Sequence, residues 1–131
     1  MTAVVDASVV VAALVDDGPV GRWAEEFVVA TPLAAPHLMP VEAANILRRA
    51  ALAGDVSDDI ASLAHADLAA LAVELFPYDV LADRIWELRG AVTAYDGWYV
   101  ALAESLKAPL ATLDNRLTRA PGPRCSFIGP P

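Results

Sequence analysis

At 131 residues, 56% of them apolar, the chain has enough apolar side chain for a buried core and too much for an intrinsically disordered polymer. Acids outnumber bases 17 to 9, a formal net charge of −8, which excludes a broad basic surface that grips polyanions by charge alone. The single cysteine, Cys125, excludes an internal disulfide, no Cys/His set has zinc-ligand spacing, and the apolar run 9–15 is too short to span a bilayer.

Ala3–Val5 reads as a first buried strand, ended by Asp6. Residues 21–29 read as a helix with Trp23 and Phe27 four apart on one face. A second strand is expected at 33–35. Pro40 then suits the first turn of a helix that runs to Ala53 and stops at Gly54. Its core-facing stripe is marked by Val41, Ala44, Leu47 and Ala51. Ser57 is placed to cap a helix over 58–73, with Ile60, Leu63, Leu68 and Leu71 as its apolar positions. A third strand follows at 74–77, then a helix over 80–88 capped by Asp79. Another helix opens at Tyr95 or Asp96 and ends near Lys107. A fourth strand is expected at 110–113, and a short fifth at 126–128 inside a Pro/Gly-rich tail, 121–131.

Short continuous apolar runs separated by helical patterns predict a parallel sheet covered on both faces. The expectation is a single α/β domain over residues 1–131, a three-layer α/β/α sandwich around a central parallel sheet of four or five strands. No basic region precedes the first apolar run, so the protein is expected in the cytoplasm, with no membrane partner.

In open parallel sheets, sites form beyond the carboxyl ends of the strands. Asp6 and Asp114 end strands at that edge, and Glu42 and Asp96 stand near helix starts, which share it. Each has a plainer role available. Asp6, Asp96 and Asp114 suit helix N-caps, and Glu42 in a first turn complements the helix dipole. The setting argues for more. Asn45 follows Glu42 by about one turn, and Asp96 lies in the apolar stretch 94–103 with no Arg or Lys beside it. A carboxylate in such company needs a partner, and a bound cation is the candidate. Asp16, Asp17, Asp55, Asp58, Asp59 and Asp67 read as solvated surface residues.

Four gathered carboxylates repel one another, and a hard divalent cation relieves that repulsion. Mg²⁺, or Mn²⁺ in its place, takes oxygen ligands and brings Lewis acidity and a low-pKa water to a phosphodiester. Asp6, Glu42, Asp96 and Asp114 therefore point to metal-assisted phosphodiester hydrolysis.

Four stretches carry a family resemblance: Val4-Val5-Asp6-Ala7-Ser8, residues 40–49 from Pro40 through Glu42 and Asn45 to Arg49, residues 95–104 from Tyr95-Asp96-Gly97 to Glu104, and Ala111-Thr112-Leu113-Asp114-Asn115-Arg116-Leu117. In order and spacing the chain resembles the PIN-domain ribonucleases, specifically the VapC toxins of bacterial type II toxin–antitoxin pairs, over nearly its whole length. The resemblance implies a PIN-like sandwich with the acids at the sheet's centre, binding one or two divalent ions. Asp6 and Asp96 become the principal ligands, with Glu42 and Asp114 completing the site or ordering water. Ser8 and Thr112 match small hydroxyl positions that hydrogen-bond the acids, and Asn45 a polar position a turn below Glu42. The resemblance further implies endonucleolytic cutting of RNA and inhibition by a VapB-type antitoxin whose extended tail crosses the groove. It also implies a homodimeric toxin that meets DNA only through the antitoxin. Two positions depart from the family: Gly97, where Ala is commoner and the helix start is loosened, and Asn115, where some relatives carry a charge.

Arg48, Arg49, Arg116 and Arg119 either frame an RNA path or are solvated. Arg116, so close to Asp114, is the candidate for a phosphate contact. Trp98 and Tyr99 lie in a helical apolar setting that favours core packing over base stacking. His37 and His65 have no second imidazole at ligand spacing and receive no role; Cys125 reads as a small core residue. Residues 50–53 and 63–73 hold more Ala and Leu than one buried stripe needs, a surplus suited to a dimer or partner interface. A phosphorylation-receiver domain needs paired acids after the first strand and a Lys after the last. Here Ala7 follows Asp6, and Lys107, the single Lys, precedes the strand at 110–113. A haloacid-dehalogenase-like phosphatase needs an acid where Ser8 stands. A PIN-like fold that binds RNA or a partner without cutting is the remaining alternative.

Overall fold

Ala3, Val4 and Val5 are fully buried and form β1 (Ala3–Val5), the middle strand of a five-stranded sheet. The computed structural model describes residues 1–131. Around β1 stand β2 (Leu33–Pro36), β3 (Val73–Phe76), β4 (Leu110–Ala111) and β5 (Phe127–Ile128), in the order β3-β2-β1-β4-β5. Every pair is parallel, and Val4 is in register with Ala34 on one side and Leu110 on the other. The central strands are covered on both faces and so carry unbroken apolar runs rather than alternation.

Seven helices connect them: α1 (Ala7–Val15), α2 (Pro19–Ala30), α3 (Leu38–Leu52), α4 (Asp58–Ala70), α5 (Ala82–Glu87), α6 (Ala94–Leu106) and α7 (Asn115–Arg119). Helices α1 to α4 pack on one another, while α5 packs on α6, which lies against β1, β2 and β4. The result is an α/β sandwich whose core includes Met39, Tyr99, Val100, Leu102 and Leu110. No helix is long and apolar enough to cross a membrane.

Several boundaries differ from the sequence expectation, each for a physical reason. Helix α2 begins at Pro19, which occupies the first turn, where a missing N–H is harmless. Gly21 in that helix is obligatory, because a Cβ there would lie 1.7 Å from the Asp16 carbonyl oxygen at the end of α1. Helix α3 begins two residues before Pro40, at Leu38, within the turn whose N–H groups lack acceptors anyway. Helix α4 has the expected Ser57 cap, with Ser57 Oγ accepting from the Ile60 N–H at 3.1 Å. It stops at Ala70 rather than 73, because Val73 is drawn into the ladder opposite Leu33.

The expected helix over 80–88 is broken into a 3₁₀ turn (Asp79–Leu81), α5, and a second 3₁₀ turn (Leu88–Gly90). The Asp79 side chain makes no cap there. The expected strand 110–113 pairs only at Leu110 and Ala111, because Leu113 and Asp114 send their N–H groups to side-chain oxygens instead. Two apolar stripes are rotated from expectation. On α3 the buried positions are Met39, Ala43 and Leu47, leaving Val41 66% exposed. On α4 they are Ala64 and Leu68, leaving Ile60 and Leu63 exposed.

Candidate active site

From β1 the chain steps outward through β2 to β3, and then returns to place β4 on the opposite side of β1. At such a switch point a crevice opens beyond the carboxyl ends of the two diverging strands. Asp6 follows β1, and residues 112–114 follow β4, so this seam carries the first pair of acids.

Asp6 is buried, 8% exposed, and caps α1 by accepting from the Val9 N–H at 3.2 Å. The same oxygen accepts from Ser8 Oγ at 2.5 Å, and the other accepts from Thr112 Oγ1. The two hydroxyls also receive the backbone of the neighbouring strand end. Ser8 Oγ accepts from the Leu113 N–H at 3.1 Å, and Thr112 Oγ1 accepts from the Asp114 N–H at 3.0 Å. Burial pushes the Asp6 carboxyl above its ordinary value of 3.8, while hydrogen bonds from Ser8, Thr112 and Val9, the Ser8 side chain's above all, pull it back. Asp114 caps α7, with one oxygen accepting from the Arg116 and Leu117 N–H groups at 2.9 and 3.3 Å.

Helices bring the other two acids. Glu42, Asn45, Ile46 and Arg49 lie at i, i+3, i+4 and i+7 of α3, one face of that helix, and all four line the crevice. Asp96 and Tyr99, one turn apart on α6, close it. Tyr99 is 2% exposed, and its hydroxyl donates to Glu42 Oε1 at 2.6 Å. Burial, and then that bond to a carboxylate, push the phenol far above its ordinary value, so it remains a donor.

The resulting cavity, about 250 Å³, is lined by Asp6, Ser8, Glu42, Asn45, Asp96 and Asp114 among others. Burial lifts the Asp96 carboxyl above 3.8, and the fields of Asp114, Glu42 and Asp6 lift it further; Arg116 opposes them. The protein supplies no ion pair within the cavity. Both ion pairs of the molecule join Arg84 to Glu87 and Glu104 elsewhere.

Six of the expected site residues thus share one cavity. Thr112 stands behind Asp6, fully enclosed, and Arg116 lines an adjoining cavity together with Asp96 and Asp114. Two expectations about helix starts are corrected. Helix α6 opens at Ala94 rather than at Tyr95 or Asp96, and Thr93, not Asp96, caps it, its Oγ1 accepting from the Asp96 N–H at 3.2 Å. Glu42 is the fifth residue of α3, beyond the first turn, so dipole complementation does not explain it. Trp98 packs edge-to-face on Tyr78 at 5.6 Å. Cys125 is half-buried, its thiol pushed up to about 11 by burial and by Glu104. Lys107 ends α6 and lines a cavity with Pro109 and Ser126, at the start of β4, on the sheet edge away from the acids. That placement removes the receiver reading. Tyr99 and Ile46 are the residues sequence reasoning missed: the i+4 spacing of Ile46 from Glu42 carries a signal, whereas Tyr99 meets Glu42 only through the fold.

The donor set is all oxygen, the chemistry of a hard divalent ion. As the side chains stand, no three acids or imidazoles form a ready cluster for one ion. A cation that keeps several of its waters, as Mg²⁺ does, fits such a spread of carboxylates.

A family model for the PIN domain matches residues 3–123. Ribonuclease VapC1 of Mycobacterium tuberculosis is 40% identical over 128 residues, covering 93% of this chain and 96% of that protein. Among solved structures, PAE2754 from Pyrobaculum aerophilum is similar with a TM-score of 0.70 at 25% identity, covering 97% of this chain and 83% of that one. VapBC2 from Rickettsia felis, solved with a DNA fragment from its promoter, shares the fold with a TM-score of 0.67 at 13% identity, covering 98% of each chain. The strand order, the acids at its switch point and these likenesses agree: the chain belongs to the PIN-domain family, on its VapC-type branch.

Proposed function

We propose that this chain is a divalent-metal-dependent endoribonuclease, the toxin of a VapBC-type pair, and that it cuts RNA at the carboxylate cavity. One observation carries the reading: Asp6, Glu42, Asp96 and Asp114 line one cavity in which the protein offers no ion pair of its own. A bound cation is what makes four such groups compatible at neutral pH.

Asp6 and Asp96 are the principal ligands of Mg²⁺, with Mn²⁺ as a substitute, and Glu42 and Asp114 complete the shell or hold its waters. When bound, the ion supplies Lewis acidity toward a phosphoryl oxygen and a lowered pKa for water. The chain's own residues set the geometry. Ser8 and Thr112 fix both oxygens of Asp6 before substrate arrives. Tyr99 holds one oxygen of Glu42, leaving the other free to accept a proton from water. Asn45 offers its amide to substrate, while Arg49 and Arg116, neither in an ion pair, offer guanidinium groups to phosphates on either side of the acids.

The partners follow the same reading. The name of the VapC1 relative supports an RNA substrate, and the likeness to VapBC2 from Rickettsia felis supports a VapB-type antitoxin. Basic groups of the antitoxin tail would neutralise the groove, and DNA would be reached only through the antitoxin. Exposed Leu52, Ile60 and Leu63 on α3 and α4 are apolar surface for a homodimer or the antitoxin to cover. The site of action is cytoplasmic RNA.

Purified protein incubated with total cellular RNA in Mg²⁺ is expected to produce discrete internal cuts that EDTA abolishes. Well-folded protein that leaves RNA intact in both Mg²⁺ and Mn²⁺ would favour the non-catalytic binding module.

A further inference from the structure

Beside the carboxylate cavity lies a second one, of about 280 Å³. Asp96 and Asp114 line both, so the two cavities adjoin at a shared wall formed by these acids. Their chemistry differs. Acids and an amide dominate the first. Beyond the shared acids, the second is lined by the apolar side chains of Ala91, Val92, Leu117 and Ala120, with Thr93 and Arg116 among them. Arg116 is exposed and belongs to neither of the molecule's ion pairs. In a chain of net charge −8, an unpaired guanidinium next to an apolar slot is complementary to a group that is flat and apolar at one end and anionic at the other.

We propose that this second cavity is the subsite for one nucleotide flanking the scissile phosphodiester, its base between the apolar walls and its phosphate on Arg116. The proposal rests on the ribonuclease reading and deepens it. A strand whose scissile phosphate sits at the shared wall of Asp96 and Asp114 must continue into a neighbouring space, and the second cavity adjoins the first at those two acids. Because its apolar walls bound a space of limited volume, with one hydroxyl at Thr93, it selects by base size, so the cut position depends on the base lodged there. Arg49, across the acids on α3, holds the strand on the opposite side.

The test uses Ala91→Trp, which fills the slot from its exposed rim, and Arg116→Ala, with Arg116→Lys as the partial rescue. Cleavage of a randomised single-stranded RNA pool in Mg²⁺, with the new ends sequenced, reads base preference at the cut. Steady-state kinetics on one preferred oligonucleotide separate KM from kcat, and anisotropy of the same labelled RNA in Ca²⁺ reads binding without relying on turnover. Ala91→Trp is expected to change the base preference at one position flanking the cut. Arg116→Ala is expected to raise KM about tenfold with a much smaller change in kcat, as loss of a charged phosphate contact does, and Arg116→Lys is expected to recover part of it. Wild-type cutting with an unchanged base preference and KM in the folded variants overturns the subsite but leaves the nuclease intact. RNA binding that the variants weaken, without cutting by any form, overturns the nuclease but supports the subsite. No binding of RNA by the wild type overturns the subsite.

Discussion

Asp6 performs two tasks whose demands conflict. As a helix cap it accepts a backbone N–H, and as a member of the acid cavity it must stay ionised while buried. Ser8 and Thr112 resolve the conflict by donating to both oxygens. Thr112→Val keeps the shape but removes that donor and the acceptor for the Asp114 N–H, and is expected to lower stability by about 1–3 kcal/mol in urea unfolding. The Asp96 carboxyl is raised as that of Asp6 is, but no hydroxyl donates to it to offset the rise. It is lifted by burial and then by three neighbouring acids, so the folded state binds its proton more tightly than the unfolded state does. In EDTA, stability therefore falls as pH rises from the ordinary value of 3.8 through the raised folded value. Asp96→Asn is expected to raise the melting temperature of the metal-free protein at neutral pH, while abolishing any increase that Mg²⁺ brings. Asp6, Glu42, Asp96 and Asp114 were legible as candidates because their residue types fall where strands end and helices begin. Tyr99 was not: an aromatic in an apolar helix signals core, and only the fold brings Glu42 to its hydroxyl.

At the scale of elements, the sheet's change of direction beside β1 explains why residues 106 apart in sequence, Asp6 and Thr112, meet. Helix α6 then brings Asp96 to this seam. Thr93 caps its first turn, so Gly97 does not leave that start unsupported. A Cβ at Gly97 would meet Ile85 Cγ2 at 3.4 Å, an ordinary contact. Gly97→Ala is expected to stabilise by about 0.5–1 kcal/mol in thermal or urea unfolding, because only the unfolded chain loses freedom. The last segment is held from the same helix. Arg84 on α5 donates twice to Glu104, at 2.7 and 3.1 Å, and once to the Gly122 carbonyl, while Glu104 accepts from the Arg124 N–H. Burial works against the Glu104 carboxylate, but Arg84 and Arg124 outweigh it and leave its carboxyl below the ordinary 4.5. The stability from this clasp is present above 4.5 and lost as pH falls through the lowered folded value. Arg84→Ala is expected to cost about 1–3 kcal/mol and to raise amide exchange around residues 122–124. The strands and most helices were legible from apolar runs and caps. Boundaries failed where tertiary bonds competed with local ones, as at Val73, claimed by the ladder, and at Leu113, claimed by Ser8. Helix faces failed at Val41 and Leu63, because nearly continuous Ala and Leu offers no single stripe to read.

The whole molecule combines a net charge of −8 with a reading as an RNA enzyme, and the two are compatible only if the acids are partly a binding device. Eight of its nine basic residues are Arg, and two of them, Arg49 and Arg116, line the two contiguous cavities. Local attraction at the groove then works against repulsion from the rest of the surface. The charge balance read from composition counts against nucleic acid, and the placement of those arginines beside the acids counts the other way. The most direct test of the carboxylate cavity as the catalytic centre is the initial rate of RNA cleavage against Mg²⁺ concentration for wild type, Asp6→Asn and Asp96→Asn. Mg²⁺-dependent cleavage by the wild type is expected to fall at least about 100-fold in both folded variants, beyond the 10–100-fold typical of outer-shell changes. Wild-type rates in either variant at the same Mg²⁺ concentration would place the chemistry elsewhere.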